Sequence, residues 1–200
     1  MTQTLLLDLG GVLVGYDYAL AFDRLGAYCG KPAEVLASRF WASKVLDDFE
    51  TGRTDMTEFI RALNDALETD LDLPMVVNSF TAIFSSDPLV PPETIRLLQQ
   101  RFRLVAVSNT NVIHHSYLRS SFSFFQLFSA EVLSFQVGAC KPKPEMFVAA
   151  LQAANCAAAD CIFVDDVRVN VDAALSFGVN AYQFSGGPKL NDFLLALLNR

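Results

Sequence analysis

Leu5-Leu6-Leu7-Asp8-Leu9-Gly10-Gly11-Val12-Leu13 sets an apolar run against one acid and a pair of glycines. The run is too short for a helix and does not alternate with polar residues. That pattern describes a strand buried on both faces, as in a parallel sheet, which stops at a Gly-Gly turn. Asp8 then stands at the strand's carboxyl end, where open α/β sheets hold their ligands.

Working outward, similar runs occur at Phe102–Val107 before Ser108, at Cys161–Val164 before Asp165-Asp166 and at Val179–Phe184 before Ser185-Gly-Gly. A weaker one, Ala130–Leu133, ends at Ser134. Between them lie helical patterns. Ile95, Leu98 and Phe102 follow Pro91-Pro92, and Phe147, Leu151 and Ala154 follow Pro142-Lys-Pro144. Val171, Ala174 and Leu175 precede Gly178, which suits a helix C-terminus. Alternating strands and helices predict an α/β fold, a Rossmann-like parallel sheet flanked by helices.

Residues 17–86 break the alternation. Ala21, Leu25 and Tyr28 share one helical face, as do Val35, Arg39 and Phe40, then Phe59, Leu63 and Leu67, then Val76, Phe80 and Ile83. Asp55-x-x-Glu58 resembles a capping box opening the third of these helices. The expected organisation is a core of residues 1–15 and 88–200 with a small helical cap, 16–87, inserted after the first strand.

Composition narrows the function. Two hundred residues, 52% hydrophobic, suffice for one buried core and a small accessory domain. No apolar stretch reaches the roughly 18–20 residues of a membrane helix, and the beginning lacks a basic n-region, so a cytoplasmic protein without membrane partners is expected. The net charge of −7 disfavours nucleic-acid binding. The four cysteines show no Cys-x-x-Cys spacing and read as buried structural thiols.

Three strand ends carry polar groups: Asp8, Ser108-Asn109 and Asp165-Asp166; Lys141 lies in the Pro-fixed loop Gly138-Ala-Cys-Lys141-Pro142-Lys-Pro144. Asp8, Asp165 and Asp166 together would repel one another and any phosphate. One Mg²⁺ and Lys141 balance them, and Mg²⁺ prefers oxygen ligands.

Together these segments resemble the haloacid dehalogenase-like superfamily over essentially the whole chain. Asp8-Leu-Gly-Gly-Val-Leu13 is similar to its first motif and Val107-Ser-Asn-Thr110 to its second. Gly138-x-x-Lys141-Pro-x-Pro144-x-x-Phe147 is similar to the third, and Phe163-Val-Asp-Asp166-x-x-x-Asn170 to the fourth. The Asp-Leu-Gly-Gly start, and Ser-Asn-Thr-Asn followed by His114, resemble a bacterial branch of sugar-phosphate phosphatases that includes an α-D-glucose-1-phosphate phosphatase. The resemblance implies a Mg²⁺-dependent phosphatase for a small-molecule phosphate ester. Asp8 would attack phosphorus and form an aspartyl-phosphate. Ser108, Asn109 and Gly10 would hold the phosphate and Lys141 would neutralise it. The metal would take Asp8, the Gly10 carbonyl and Asp166, with Asp165 direct or through water, and Asn170 would orient this set.

The chain departs from the family at Gly10. Most superfamily phosphatases carry an aspartate there that protonates the leaving alcohol and activates water, assistance worth about 10²–10⁴-fold. A good leaving group, such as an anomeric hydroxyl, would lessen the need. Asp17, where the family places a mobile flap, is the candidate substitute acid. Gly10 also argues against a phosphomutase. A haloacid dehalogenase, which needs no metal, has no use for Asp165-Asp166, and a non-catalytic phosphate-binding module would not be expected to keep so many site groups. Among the remaining residues Glu50-Thr-Gly52-Arg53 resembles a cap loop of the family, with Arg53 expected in solvent; His114 is expected near the site, His115 at the surface, and Phe122, Phe124, Phe125 and Phe128 in the core beside the third core strand. The oligomeric state is not legible.

Overall fold

β1 (Thr4–Leu7) is the central strand of a five-stranded sheet, with β4 (Arg103–Ser108) and β6 (Cys161–Asp165) on either side. β5 (Ala130–Leu133) lies beyond β4 and β7 (Asn180–Gln183) beyond β6, so the order is β5-β4-β1-β6-β7. Every pairing is parallel; Leu7 is level with Ala106 on one side and Val164 on the other. The computed structural model describes residues 3–199; Met1, Thr2 and Arg200, which the sequence reading grouped with the core, lie outside them.

The unbroken apolar character of β1 follows from this position. Leu5 and Leu7 face a layer that includes Ile95 and Leu98 of α6 (Pro92–Gln99) and Leu190 and Leu194 of α11 (Pro188–Leu197). Leu6 faces the opposite layer, with Met146, Phe147 and Ala150 of α9 (Pro144–Ala154) and Ala174 of α10 (Arg168–Ser176). Side chains alternate across a strand, so both faces need apolar residues. Phe122, Phe124 and Phe125 are buried in the first layer and Phe128 packs against it. At the end of α10, the Gly178 amide donates to the Leu175 carbonyl and the Val179 amide to the Ala174 carbonyl, with Gly178 at φ +78°. That is the reciprocal closure a left-handed glycine permits.

Between β1 and α6 the chain forms α1 (Ala19–Cys29), α2 (Ala33–Ala42), α3 (Val45–Glu50), α4 (Met56–Leu67) and α5 (Leu73–Thr81). They enclose a second core containing Phe22, Leu25, Leu36, Phe40, Phe59, Leu63 and Phe80, to which Ile113 of α7 (Val112–Ser121) contributes. Asp55 and Glu58 make both capping-box bonds, at 2.9 and 3.0 Å. Two expected faces hold only in part. Ala21, Leu25 and Phe40 are buried as expected, but Tyr28 and Val35 are exposed, and Phe22 and Leu36 join the buried stripe.

Two elements escape the periodic signal. β2 (Val14–Tyr16) pairs antiparallel with β3 (Phe84–Pro88), a two-stranded ribbon that straddles the expected boundaries at 15/16 and 87/88. Its second strand, Phe-Ser-Ser-Asp-Pro, has no apolar alternation to reveal it. Helix α3 is a single short segment. Of the cysteines only Cys161 is buried; Cys29, Cys140 and Cys156 are half-buried, and the Cys156 and Cys161 sulfurs lie 3.4 Å apart. Among the described residues no helix is long and apolar enough to cross a membrane.

Candidate active site

Asp8 follows β1 directly, and its amide extends the sheet by donating to the Val164 carbonyl at 3.0 Å. This fixes the carboxylate at the mouth between β1 and β6. Lys141 reaches it from the loop before α9: Nζ lies 2.9 Å from Asp8 Oδ2 and 2.7 Å from Asp165 Oδ2, and donates to the Val107 carbonyl at 2.8 Å. The three protons of the ammonium therefore have three acceptors.

The loop that delivers Lys141 is held by Asn109. Its Nδ2 donates to the Lys141 carbonyl at 3.0 Å and its Oδ1 accepts from the Lys141 amide at 2.7 Å. Ser134 does the same for Thr110, accepting from its amide at 2.8 Å and donating to its carbonyl at 2.9 Å. The sequence reading gave Asn109 a place at the phosphate and Ser134 none. Ser134's signal was available, since it closes a strand just as Asp8 and Ser108 do.

Asp165 is fully buried and saturated. Oδ1 accepts from the Val167 amide at 2.8 Å and from Asn170 Nδ2 at 3.0 Å, and Oδ2 accepts from Lys141 and, at 3.2 Å, from the same Asn170 group. Asp166 is more open and lies against Gly11, where a Cβ would come within 2.3 Å of its Oδ2; Gly11 also has φ +73°. Only glycine serves there.

Asp8, Asp165 and Asp166 each offer an oxygen, all within 4.8 Å of one another. Against one lysine, three carboxylates leave two negative charges in excess, the complement of a dication. Oxygen donors at half-open positions suit magnesium. Burial pushes Asp8 up to about 7, with Lys141 pulling down and Asp165 pushing up. Burial and then Asp165 also raise Asp166. Burial opposes the Lys141 charge, but Asp8 and Asp165 more than offset it and hold the group protonated. A cation beside Asp8 would therefore favour its ionised form.

Above these groups is a cavity of about 280 Å³. Asp8, Gly10, Ser108, Asn109, Lys141, Asp166 and Asn170 line it from the sheet side. Tyr16, Tyr18, Trp41, Glu50, Phe84 and His114 complete its lining. The structure thus brings all the expected site residues together except Asp17; Asp165 is among them, buried beneath the floor and not on the cavity wall. Asp17 is exposed, is not among the lining residues, and accepts from the Ala19 amide at 2.9 Å at the start of α1. As placed, Asp17 would have to swing in with the flap to act as the substitute acid.

The space at position 10 is occupied differently. A Cβ on Gly10 would lie 3.1 Å from Cε1 of Tyr16, whose ring covers the spot where a side chain would begin. Glu50, at the end of α3, opens the stretch that resembles a cap loop, in which only Arg53 was considered for a role. Burial pushes its carboxyl up to about 7, with Asp47 adding to the shift.

His114 is buried on the cavity wall, and burial pushes it down to about 3, against a weaker pull from the Phe80 carbonyl. Its Nδ1 faces Asn111 Nδ2 at 3.0 Å, which leaves the ring neutral and its Nε2 without a bonding partner among the described residues. His115, expected at the surface, instead pairs with Glu131 in a half-buried contact that Arg119 shares. Arg53 is solvated, as expected, and pairs with Asp48 at 2.9 Å.

Known proteins share this architecture. D-ribitol-5-phosphate phosphatase of Bacteroides thetaiotaomicron is 24% identical over 213 aligned residues, covering 100% of both chains. A haloacid dehalogenase family enzyme of the same organism, solved in complex with magnesium and inorganic phosphate, superposes with a TM-score of 0.81 at 21% identity, covering 94% of this chain and 96% of that one. An L-2-haloacid dehalogenase superposes with a TM-score of 0.69 at 16% identity over 100% of both chains. At such identities the superpositions establish the fold alone. The family model of the haloacid dehalogenase-like hydrolases matches residues 2–178, and the chain belongs to that family.

Proposed function

We propose that this hydrolase is a Mg²⁺-dependent phosphatase that cleaves a small phosphate monoester through an aspartyl-phosphate on Asp8. The observation that carries the reading is the convergence of Asp8, Asp165 and Asp166 around one buried lysine at the floor of the cavity. The relatives named for ribitol phosphate hydrolysis and for a magnesium–phosphate complex fit the same chemistry.

In this account Asp8 attacks phosphorus, and its carboxylate bond to phosphorus replaces the bond to the ester oxygen. Ser108 and the Asn109 amide hold non-bridging oxygens. Lys141 neutralises the charge that spreads over them, held in place by Asn109. Mg²⁺, held by Asp8, Asp166 and the Gly10 carbonyl, supplies positive charge that lets a carboxylate and a phosphate approach. Asp165, whose four bonds are satisfied from the protein, fixes Lys141 and Asn170 and would add its negative charge to the field at the metal. Residues 16–87 act as the cap over a core of 1–15 and 88–200. The cavity suits a substrate of sugar or polyol size, and its aromatic wall suits the apolar face of such a molecule. An α-D-glucose-1-phosphate substrate belongs to this class.

A dehalogenase shares the fold, but Asp166 would be an uncompensated acid in a metal-free site. A panel of phosphate esters and 2-haloacids, assayed with Mg²⁺ and with EDTA and with Asp8→Asn as blank, tests the reading. Ester hydrolysis abolished by EDTA is expected. Halide release insensitive to EDTA would replace the phosphatase with a dehalogenase, and no turnover at all would favour a binding module.

A further inference from the structure

The phosphatase reading leaves a chemical gap: a poor alkoxide leaving group needs a proton, and Gly10 cannot give one. Tyr16 covers the position from which the usual acid would reach, and Asp17 lies outside the cavity. Among the lining residues the acids are Asp8, Asp166 and Glu50. The first two belong to the nucleophile and metal set. Glu50 lines the same cavity from α3 of the helical insert and belongs to neither set.

The fold holds Glu50 there by direct docking of α3 on the sheet side of the molecule. Gly52, two residues on, has φ +65°, and a Cβ there would lie 2.2 Å from the Phe135 carbonyl oxygen. The Cys140 thiol, next to Lys141, approaches the Glu50 carbonyl at 3.9 Å. The backbone of Glu50 is thus braced against the same loop that delivers Lys141. Its carboxylate makes no hydrogen bond or ion pair among the described residues and stays free to reach a ligand in the half-open cavity.

Resting on the phosphatase reading, we infer that Glu50 is the general acid and base of this enzyme, a carboxyl delivered from the helical insert in place of the side chain absent at Gly10. As Asp8 forms its bond to phosphorus, the ester P–O bond breaks and the Glu50 proton passes to the departing oxygen, releasing the alcohol. The resulting Glu50 carboxylate then takes a proton from water as that water attacks the aspartyl-phosphate. The P–O bond to Asp8 breaks, and phosphate, ionised Asp8 and protonated Glu50 return. No other reactant is consumed. The groups facing Glu50 are Asp47 from its own helix, Tyr16 and Tyr18 from the ribbon and the start of α1, and Cys140. None of them is a cation that would hold the carboxyl ionised, and a carboxyl titrating near 7 is matched to both duties.

Glu50→Gln tests this by its dependence on the leaving group. In single turnovers with Mg²⁺, release of a simple alcohol from an alkyl phosphate should slow by about 10²–10⁴-fold. Release of 4-nitrophenol, which leaves without a proton, should slow by less than about tenfold. In the unmodified enzyme, kcat/KM for the alkyl ester should fall with a basic limb near pH 7, and that limb should be absent for the aryl ester. Binding of inorganic phosphate with Mg²⁺ to the variant reports that its site is intact. If the variant does not fold, the two pH profiles of the unmodified enzyme decide alone. An equal loss on both esters, expressed in KM, would overturn the proposal and make Glu50 a substrate-binding group. A leaving-group-dependent loss in Asp17→Asn would overturn it too. If the unmodified enzyme hydrolyses neither ester with Mg²⁺, it is the phosphatase reading that fails.

Discussion

Lys141 satisfies three oxygens with three protons, and two of those oxygens carry negative charge in a buried place. A neutral side chain of similar length would leave Asp8 and Asp165 facing each other without a cation. Lys141→Met should therefore cost about 3–5 kcal/mol of stability in metal-free protein at neutral pH, read by urea denaturation. A loss below about 1 kcal/mol would mean that the pair is more hydrated than its burial implies. Turnover should drop by about 10²–10³-fold, the usual cost of one charge-stabilising donor. Glu50 makes a prediction of its own. Its folded-state carboxyl lies near 7, above its ordinary 4.5, so the folded protein holds this proton more tightly than the unfolded chain. Stability from this group is present below about pH 4.5 and is lost as pH rises through about 7, by up to roughly 3 kcal/mol, less where solvent screens the half-buried group. Glu50→Gln should remove that fall. His114, depressed to about 3, gives the opposite slope below about pH 6.5, but it cancels when variant and parent are compared at each pH. Parallel stability curves for the two would contradict the assigned environment of Glu50.

At the scale of elements, each polar strand end was readable because a buried strand announces its own boundary: apolar residues stop and an acid, serine or glycine begins. Asp8, Ser108, Asp165 and Asp166 all follow that rule, and β1, β4 and β6 place them side by side. Helix α4 was equally legible, since the Asp55–Glu58 box is local chemistry. Helices α1 and α2 were legible as helices, yet their buried faces only in part. Apolar residues on both sides of the stripe, such as Val35 and Leu36, let only tertiary packing choose. Glu50 was legible only as part of a stretch resembling a cap loop, because its position at the cavity depends on a contact across 90 residues of sequence, between α3 and the Lys141 loop. Gly52 records that contact. Gly52→Ala should push α3 off the Phe135 carbonyl and slow alkyl ester cleavage at least tenfold, with the aryl ester less affected, as for Glu50→Gln but more weakly. Rates on the two esters falling equally would show that the docking matters for closure of the cavity rather than for a proton.

The whole molecule has two hydrophobic centres, one sandwiching the sheet and one inside the helical insert, and the cavity lies between them. The sequence predicted both centres from periodicity. It did not predict the ribbon β2–β3 that ties them, because pairing across 70 residues leaves no local pattern. Ligands that engage both sides of the cavity should stabilise the folded chain: Mg²⁺ with phosphate at about a hundredfold excess over its dissociation constant should add about 2.7 kcal/mol. All of this chemistry depends on Asp8 becoming covalently phosphorylated. The most direct measurement is a rapid acid quench of a single turnover with Mg²⁺, followed by peptide mass analysis. The account predicts alcohol released ahead of phosphate, with a phosphoryl group on Asp8 that decays as phosphate appears. Simultaneous release of both products with Asp8 unmodified throughout, or turnover surviving in Asp8→Asn, would contradict it.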